Sequence, residues 1–65
     1  MNASKENKGK NAIWVFQKYA PVKVTIVDYN RCLENYQVVA LDSNEWCKID
    51  KTYFVEPKEL TLIDS

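Results

Sequence analysis

Residues 22–27 read Val22-Lys23-Val24-Thr25-Ile26-Val27. Val22, Val24 and Ile26 alternate with Lys23, Thr25 and Val27, the period-two pattern of a strand with one buried face. Five of the six side chains are β-branched, which favours extended backbone over helix. Pro21 disfavours helical backbone at the residue before it and so marks where the strand begins.

Working outward from this strand, the upstream stretch Ile13-Trp14-Val15-Phe16 is β-branched and aromatic and suits a strand. A short helix over residues 11–19 fits the spacing of Ile13, Phe16 and Ala20 as well, so residues 12–19 are open to either reading. Downstream, Asp28, Asn30 and Asn35 are turn formers, and residues 28–35 read as a loop. Tyr36 to Leu41 reads as a second strand with apolar residues on both faces, as in a central or strongly curved strand. Asp42-Ser43-Asn44-Glu45 predicts a hairpin turn, Trp46 to Ile49 a returning strand, Asp50-Lys51 a turn, and Thr52 to Val55 another strand. Glu56-Pro57-Lys58-Glu59-Leu60 predicts one helical turn, because proline at the first helical position gives up an N–H that has no partner there. Leu60, Leu62 and Ile63 then supply a short closing strand.

This gives an all-β domain of five or six strands over residues 12–65, with one short helical turn near 57–60. Residues 1–11 hold three lysines and no large apolar side chain after Met1. They predict a disordered, lysine-containing tail, since such a segment cannot bury enough to offset its ordering entropy. A sheet closed on itself has no vulnerable edges, so a small barrel is the expected architecture.

The stretch Trp46-Cys47-Lys48-Ile49, followed by Tyr53-Phe54-Val55-Glu56-Pro57-Lys58-Glu59-Leu60-Thr61-Leu62-Ile63, resembles the ending of SH3-like barrels. The shared features are a tryptophan opening a strand, an aromatic and aliphatic strand, a proline-marked turn and a short last strand. The resemblance implies a small SH3-like barrel. Residues 12–65 contain no glycine, and the acidic, aromatic loop of peptide-binding SH3 domains has no counterpart here. The likeness therefore bears on fold rather than on function.

Composition narrows the chemistry. The 65 residues are 46% hydrophobic and 28% charged, the balance of a folded domain rather than of a disordered chain. Histidine is absent, which removes the commonest general base and transition-metal ligand. Two cysteines, Cys32 and Cys47, cannot complete a four-ligand zinc site alone. No glycine in residues 12–65 means no phosphate-cradling loop or dinucleotide fingerprint. A domain this small has little room for a cleft that would bury a substrate. The expectation is a non-enzymatic protein without cofactor or metal. No signal peptide or membrane span is visible, so a cytoplasmic location with both thiols free is expected. Cys47, beside Trp46, reads as a small buried hydrophobe. In its size the chain resembles accessory proteins of bacteria or their viruses.

What remains is binding. Eight aromatic residues exceed what so small an interior can enclose, and exposed tryptophan and tyrosine are the commonest binding anchors. Trp14, Tyr29, Tyr36, Trp46 and Tyr53 are the candidates, against the alternative that the tryptophans form the core and the tyrosines cap it. The leading expectation is a protein-interaction module, including a small inhibitor that masks a partner protein. A second is single-stranded nucleic-acid binding through Lys5, Lys8, Lys10, Lys18, Lys23 and Arg31, with Tyr19 and Tyr29 as stacking platforms. The formal net charge of zero argues against it, because phosphate neutralisation needs positive excess. A third uses Glu34, Asp42, Glu45, Asp50, Glu56, Glu59 and Asp64 as phosphate mimics against a DNA-binding enzyme. Residues 1–31 carry +4 and residues 32–65 carry −4, an asymmetry that would serve either charged surface. A monomer and a homodimer formed through an edge strand are both compatible with the pattern.

Overall fold

The computed structural model describes residues 7–63. Among them run five strands: β1 (Asn11–Trp14), β2 (Val22–Asn30), β3 (Asn35–Ala40), β4 (Thr52–Val55) and β5 (Leu60–Leu62). A 3-10 turn, Pro57–Glu59, joins the last two. All pairings are antiparallel, and the sheet order is β4-β3-β2-β1-β5. The all-β architecture and the single helical turn are those the pattern predicts, and residues 12–19 resolve as strand followed by turns.

The alternation in β2 fixes which side becomes the core. Val22, Val24 and Ile26 are buried, and their partners Val38 and Ala40 on β3 are buried with them. Strict alternation beyond Ile26 would turn Asp28 inward and Tyr29 outward. A bulge prevents this: Ile26 pairs with Val38 while Asp28 pairs with Gln37, so Val27 is the extra residue. The bulge shifts the parity, as bulges do, and Tyr29 comes to lie opposite buried Tyr36, packed against the core, with Asp28 and Asn30 exposed. β2 therefore runs to Asn30 through part of the expected loop, leaving residues 31–34 as the turn. Asn30 closes that turn by accepting the N–H groups of Cys32 and Leu33 on its Oδ1.

Trp14, Val22, Val24, Ile26, Tyr36, Val38, Cys47, Val55 and Leu60, with Ala12 and Ala40, make one core cluster. The Cα radius of gyration is 10.6 Å, that of a compact globule of this length (about 11 Å). A flat five-stranded sheet could not enclose such a cluster, so the sheet bends around it. Its ladder nevertheless stays open, with β4 and β5 as the two edges, where closure into a barrel was expected. Only four and three residues long, these strands offer few ladder bonds, and the intervening turn has Pro57 at its start, which has no N–H to donate. Within the turn, Glu59 accepts the Glu56 N–H on its Oε1 at 3.1 Å. The Lys58–Glu56 ion pair beside it is exposed and adds little.

The structure departs from the sequence pattern at two further places. Trp46–Ile49 is not a strand; it belongs to a connection, residues 41–51, that carries β3 into β4. Asn44 is the cause. Its Oδ1 accepts the N–H groups of Trp46 (2.9 Å) and Cys47 (2.6 Å), and its own N–H donates to the Cys47 carbonyl. Those groups are thus spent inside the loop. Second, the folded part begins before residue 12. Asn7 is buried, its Nδ2 donating to Tyr36 Oη at 2.7 Å, and Gly9 donates its N–H to the Ile26 carbonyl. Gly9 has φ +89°, a conformation that glycine reaches without strain, and Asn11 already belongs to β1. The rest of the expected tail, residues 1–6, lies outside the described residues, as does Asp64. In a fold without turn glycines, Gln17, Glu34 and Asp50 take the positive φ values.

Both cysteines are free thiols, Cys32 exposed and Cys47 buried. No helix among the described residues is long and apolar enough to cross a membrane. None of their Cys, Asp and Glu side chains gather in a group of three or more that could hold a metal ion.

Candidate functional site

The connection between β1 and β2 (residues 15–21) and the connection between β3 and β4 (residues 41–51) emerge at the same end of the sheet. Asn44 ties them together by donating its Nδ2 to the Ala20 carbonyl at 2.6 Å. Five aromatic rings meet there. Trp14, the last residue of β1, is 3% exposed and forms the floor. Phe16, Trp46 and Tyr53 pack against it at ring-centroid distances of 5.6, 5.6 and 5.4 Å. Tyr19 joins through a turn in which its N–H donates to the Phe16 carbonyl, and its ring stacks on Phe16 at 6.0 Å and 8°. Trp46 is the hub of the outer layer, lying 5.1 Å from Phe16, 6.4 Å from Tyr19 and 5.4 Å from Tyr53.

The layers differ in exposure. Phe16, Tyr19 and Tyr53 are half-buried, while Trp46 is 45% exposed. Val15, Leu41 and Ile49, on the same two connections, are exposed as well. An assembly of exposed apolar side chains at one end of a sheet is the kind of surface that marks an interaction site. It is also held in place. Tyr53 accepts the Lys48 N–H on its hydroxyl at 2.8 Å, fixing the loop that carries Trp46 over the strand that carries Tyr53. Trp14 Nε1 is buried without an acceptor among the described residues, a cost of about 1–3 kcal/mol. Cys47 lies buried next to Trp46. Burial pushes its thiol pKa up, and a hydrogen bond with Tyr53 pulls it part of the way back. The group is an inert thiol at neutral pH, since the thiolate is the nucleophilic form.

Of the five residues nominated from sequence, three meet at this site: Trp14, Trp46 and Tyr53. Trp14 and Tyr36 have to be withdrawn as docking anchors, because at 3% and 0% exposure they present no surface to a partner. Both occupy inward positions of short strands, Tyr36 with Val38 and Ala40 on the buried face of β3. Tyr29 is half-buried at the far end, opposite Tyr36. Phe16 and Tyr19 belong to the cluster and were not nominated as protein-binding anchors. Their three-residue spacing ahead of Pro21 was the available signal for a turn that brings two rings together. Of the acidic side chains, Glu34 is in the 31–34 turn, whereas Asp42, Glu45 and Asp50 share the 41–51 connection with Lys48 and Lys51.

No protein family, curated protein or solved structure matches the chain.

Proposed function

We propose that this chain is a non-enzymatic protein-binding module that docks a partner on the ring cluster around Trp46 and acts by masking the surface it covers. One observation carries the reading: a tryptophan 45% exposed, held at the centre of half-buried rings. Large amphipathic rings already fixed in position lose little conformational freedom on binding, which is why tryptophan and tyrosine dominate binding hot spots. The strand order and the 3-10 turn between β4 and β5 support the finer assignment to SH3-like architecture. The partner that suits the surface is an extended protein segment with aliphatic side chains or prolines, which can lie on ring faces.

Selection from a library of displayed peptides tests this. The expected result is a set of apolar peptides whose affinity falls at least about tenfold on Trp46→Ala. Their binding should change little between roughly 50 and 200 mM salt, whereas affinity for phosphates falls steeply over that range. Selected peptides that bind Trp46→Ala as well as the parent protein would refute the proposal.

A further inference from the structure

At the opposite end of the molecule, on the outer face of the sheet, lies a half-open surface pocket of about 250 Å³. Its lining includes Asp28, Tyr29, Arg31, Gln37 and Phe54. Its volume is just below the range of about 300–1,000 Å³ typical of small-molecule sites, so it has room for one ring system with a short appendage. The bulge at Val27 creates the lining. Beyond it Asp28 pairs with Gln37, and Gln37 in turn pairs with Phe54 of β4. A carboxylate, an amide and a phenyl ring thus stand in one cross-strand row on three adjacent strands, neighbours about 5 Å apart.

Phe54, Asp28 and Arg31 are open to a ligand. Phe54 is 68% exposed, far more than core packing would leave it. Asn35 Oδ1, by contrast, is buried away from a ligand, without a hydrogen-bond partner among the described residues. Asp28 accepts the Tyr29 N–H on one oxygen, Oδ1, and the other oxygen has no hydrogen bond among the described residues. Arg31 makes no ion pair there either, the sole pair among them being Lys58–Glu56. A bare cation would suit Asp28 and the phenyl face but would be repelled by Arg31. A simple anion would suit Arg31 and be repelled by Asp28. Asp28, Phe54 and Arg31 are satisfied together by a flat ring that has donors along one edge and an anion on its appendage.

We propose that this pocket is a guanine-nucleotide site. The base stacks on Phe54, above Gln37. Its adjacent N1–H and N2–H groups meet the carboxylate of Asp28, and its phosphate reaches Arg31. Guanine fits better than adenine or cytosine, because it alone of the three offers two neighbouring donors to a carboxylate. A free nucleotide and a guanine in a single strand present the same chemistry. The site is separate from the ring cluster, so the two readings stand or fall independently.

The test is an amide chemical-shift titration of the full chain with GMP, AMP, guanosine and a guanine-containing tetranucleotide. GMP is expected to shift residues 28–37 and Phe54 saturably, and AMP to bind more weakly. Phe54→Ala should weaken GMP by about tenfold or more, the worth of one stacked base, with core amides unmoved. Arg31→Gln should weaken GMP and leave guanosine unchanged, and Asp28→Asn should erase the preference over AMP. Tetranucleotide binding tighter than GMP would identify a strand as the source, and weaker or equal binding a free nucleotide. The proposal is overturned if none of the ligands gives saturable shifts at these residues. Equal affinity for GMP and AMP, unchanged in both Phe54→Ala and Asp28→Asn, overturns it as well.

Discussion

Trp14 and Trp46 touch one another edge to face at 5.6 Å yet do opposite work. Trp14 occupies an inward position of β1 between Val22 and Leu60, its partners on β2 and β5, and all three are buried. Trp14→Ala is expected to cost about 3–5 kcal/mol, the range for deleting a buried large ring, measured by denaturant unfolding. Trp14→Phe should cost distinctly less, because it also deletes an indole N–H that has no acceptor among the described residues. Cys47 makes a different prediction at this scale. Its folded-state pKa is raised, so the folded chain holds its proton where the unfolded chain releases it. The resulting contribution to stability is fully present below the unfolded thiol value of about 8.5 and is lost as pH rises toward the folded value. Unfolding curves between neutral and alkaline pH should therefore show a decline that is shallower in Cys47→Ala. An identical decline in the variant would remove Cys47 as its source.

At the scale of elements, alternation made the middle of the sheet legible. β2, β3 and β4 follow from Val22–Val27, Tyr36–Leu41 and Thr52–Val55, and Pro57 located the 3-10 turn. What alternation could not show was side chains acting on the backbone. Trp46–Ile49 has the composition of a strand, and only the capture of two N–H groups by the Asn44 carbonyl oxygen makes it a loop. Residues 7–11 have no apolar side chain to signal order, and the Asn7 amide is held by a tyrosine 29 positions away in sequence. The Val27 bulge reversed the facing of Tyr29, a change of parity that no local pattern announces. Asn44 is accordingly a positioning residue for the ring cluster. Asn44→Ala removes an acceptor from two N–H groups and a donor from Ala20, at about 1–3 kcal/mol. It should also weaken peptides selected on the parent protein while leaving every ring in the sequence. Unchanged peptide affinity in that variant would show that the loop holds its shape without the tie.

For the whole molecule, the decisive quantity is the ratio of aromatic area to interior. The sequence contains eight rings, and only two of them, Trp14 and Tyr36, are fully interior. The surplus was legible from composition. Its distribution was not, because which rings face outward depends on strand parity and on the loop held by Asn44. The fold places the surplus at two ends, Trp46 with its neighbours at one and Phe54 beside the pocket at the other. Both edges of the sheet are short, which limits pairing with another chain and leaves side-chain surfaces to carry recognition. The central claim is that the outer rings serve a partner rather than the fold. Equilibrium unfolding of Trp46→Ala tests it most directly. The account predicts a loss of roughly 1–2 kcal/mol, in keeping with a ring that stays half in water. A loss as large as that of Trp14→Ala, about 3–5 kcal/mol, would make Trp46 a core residue and contradict the account.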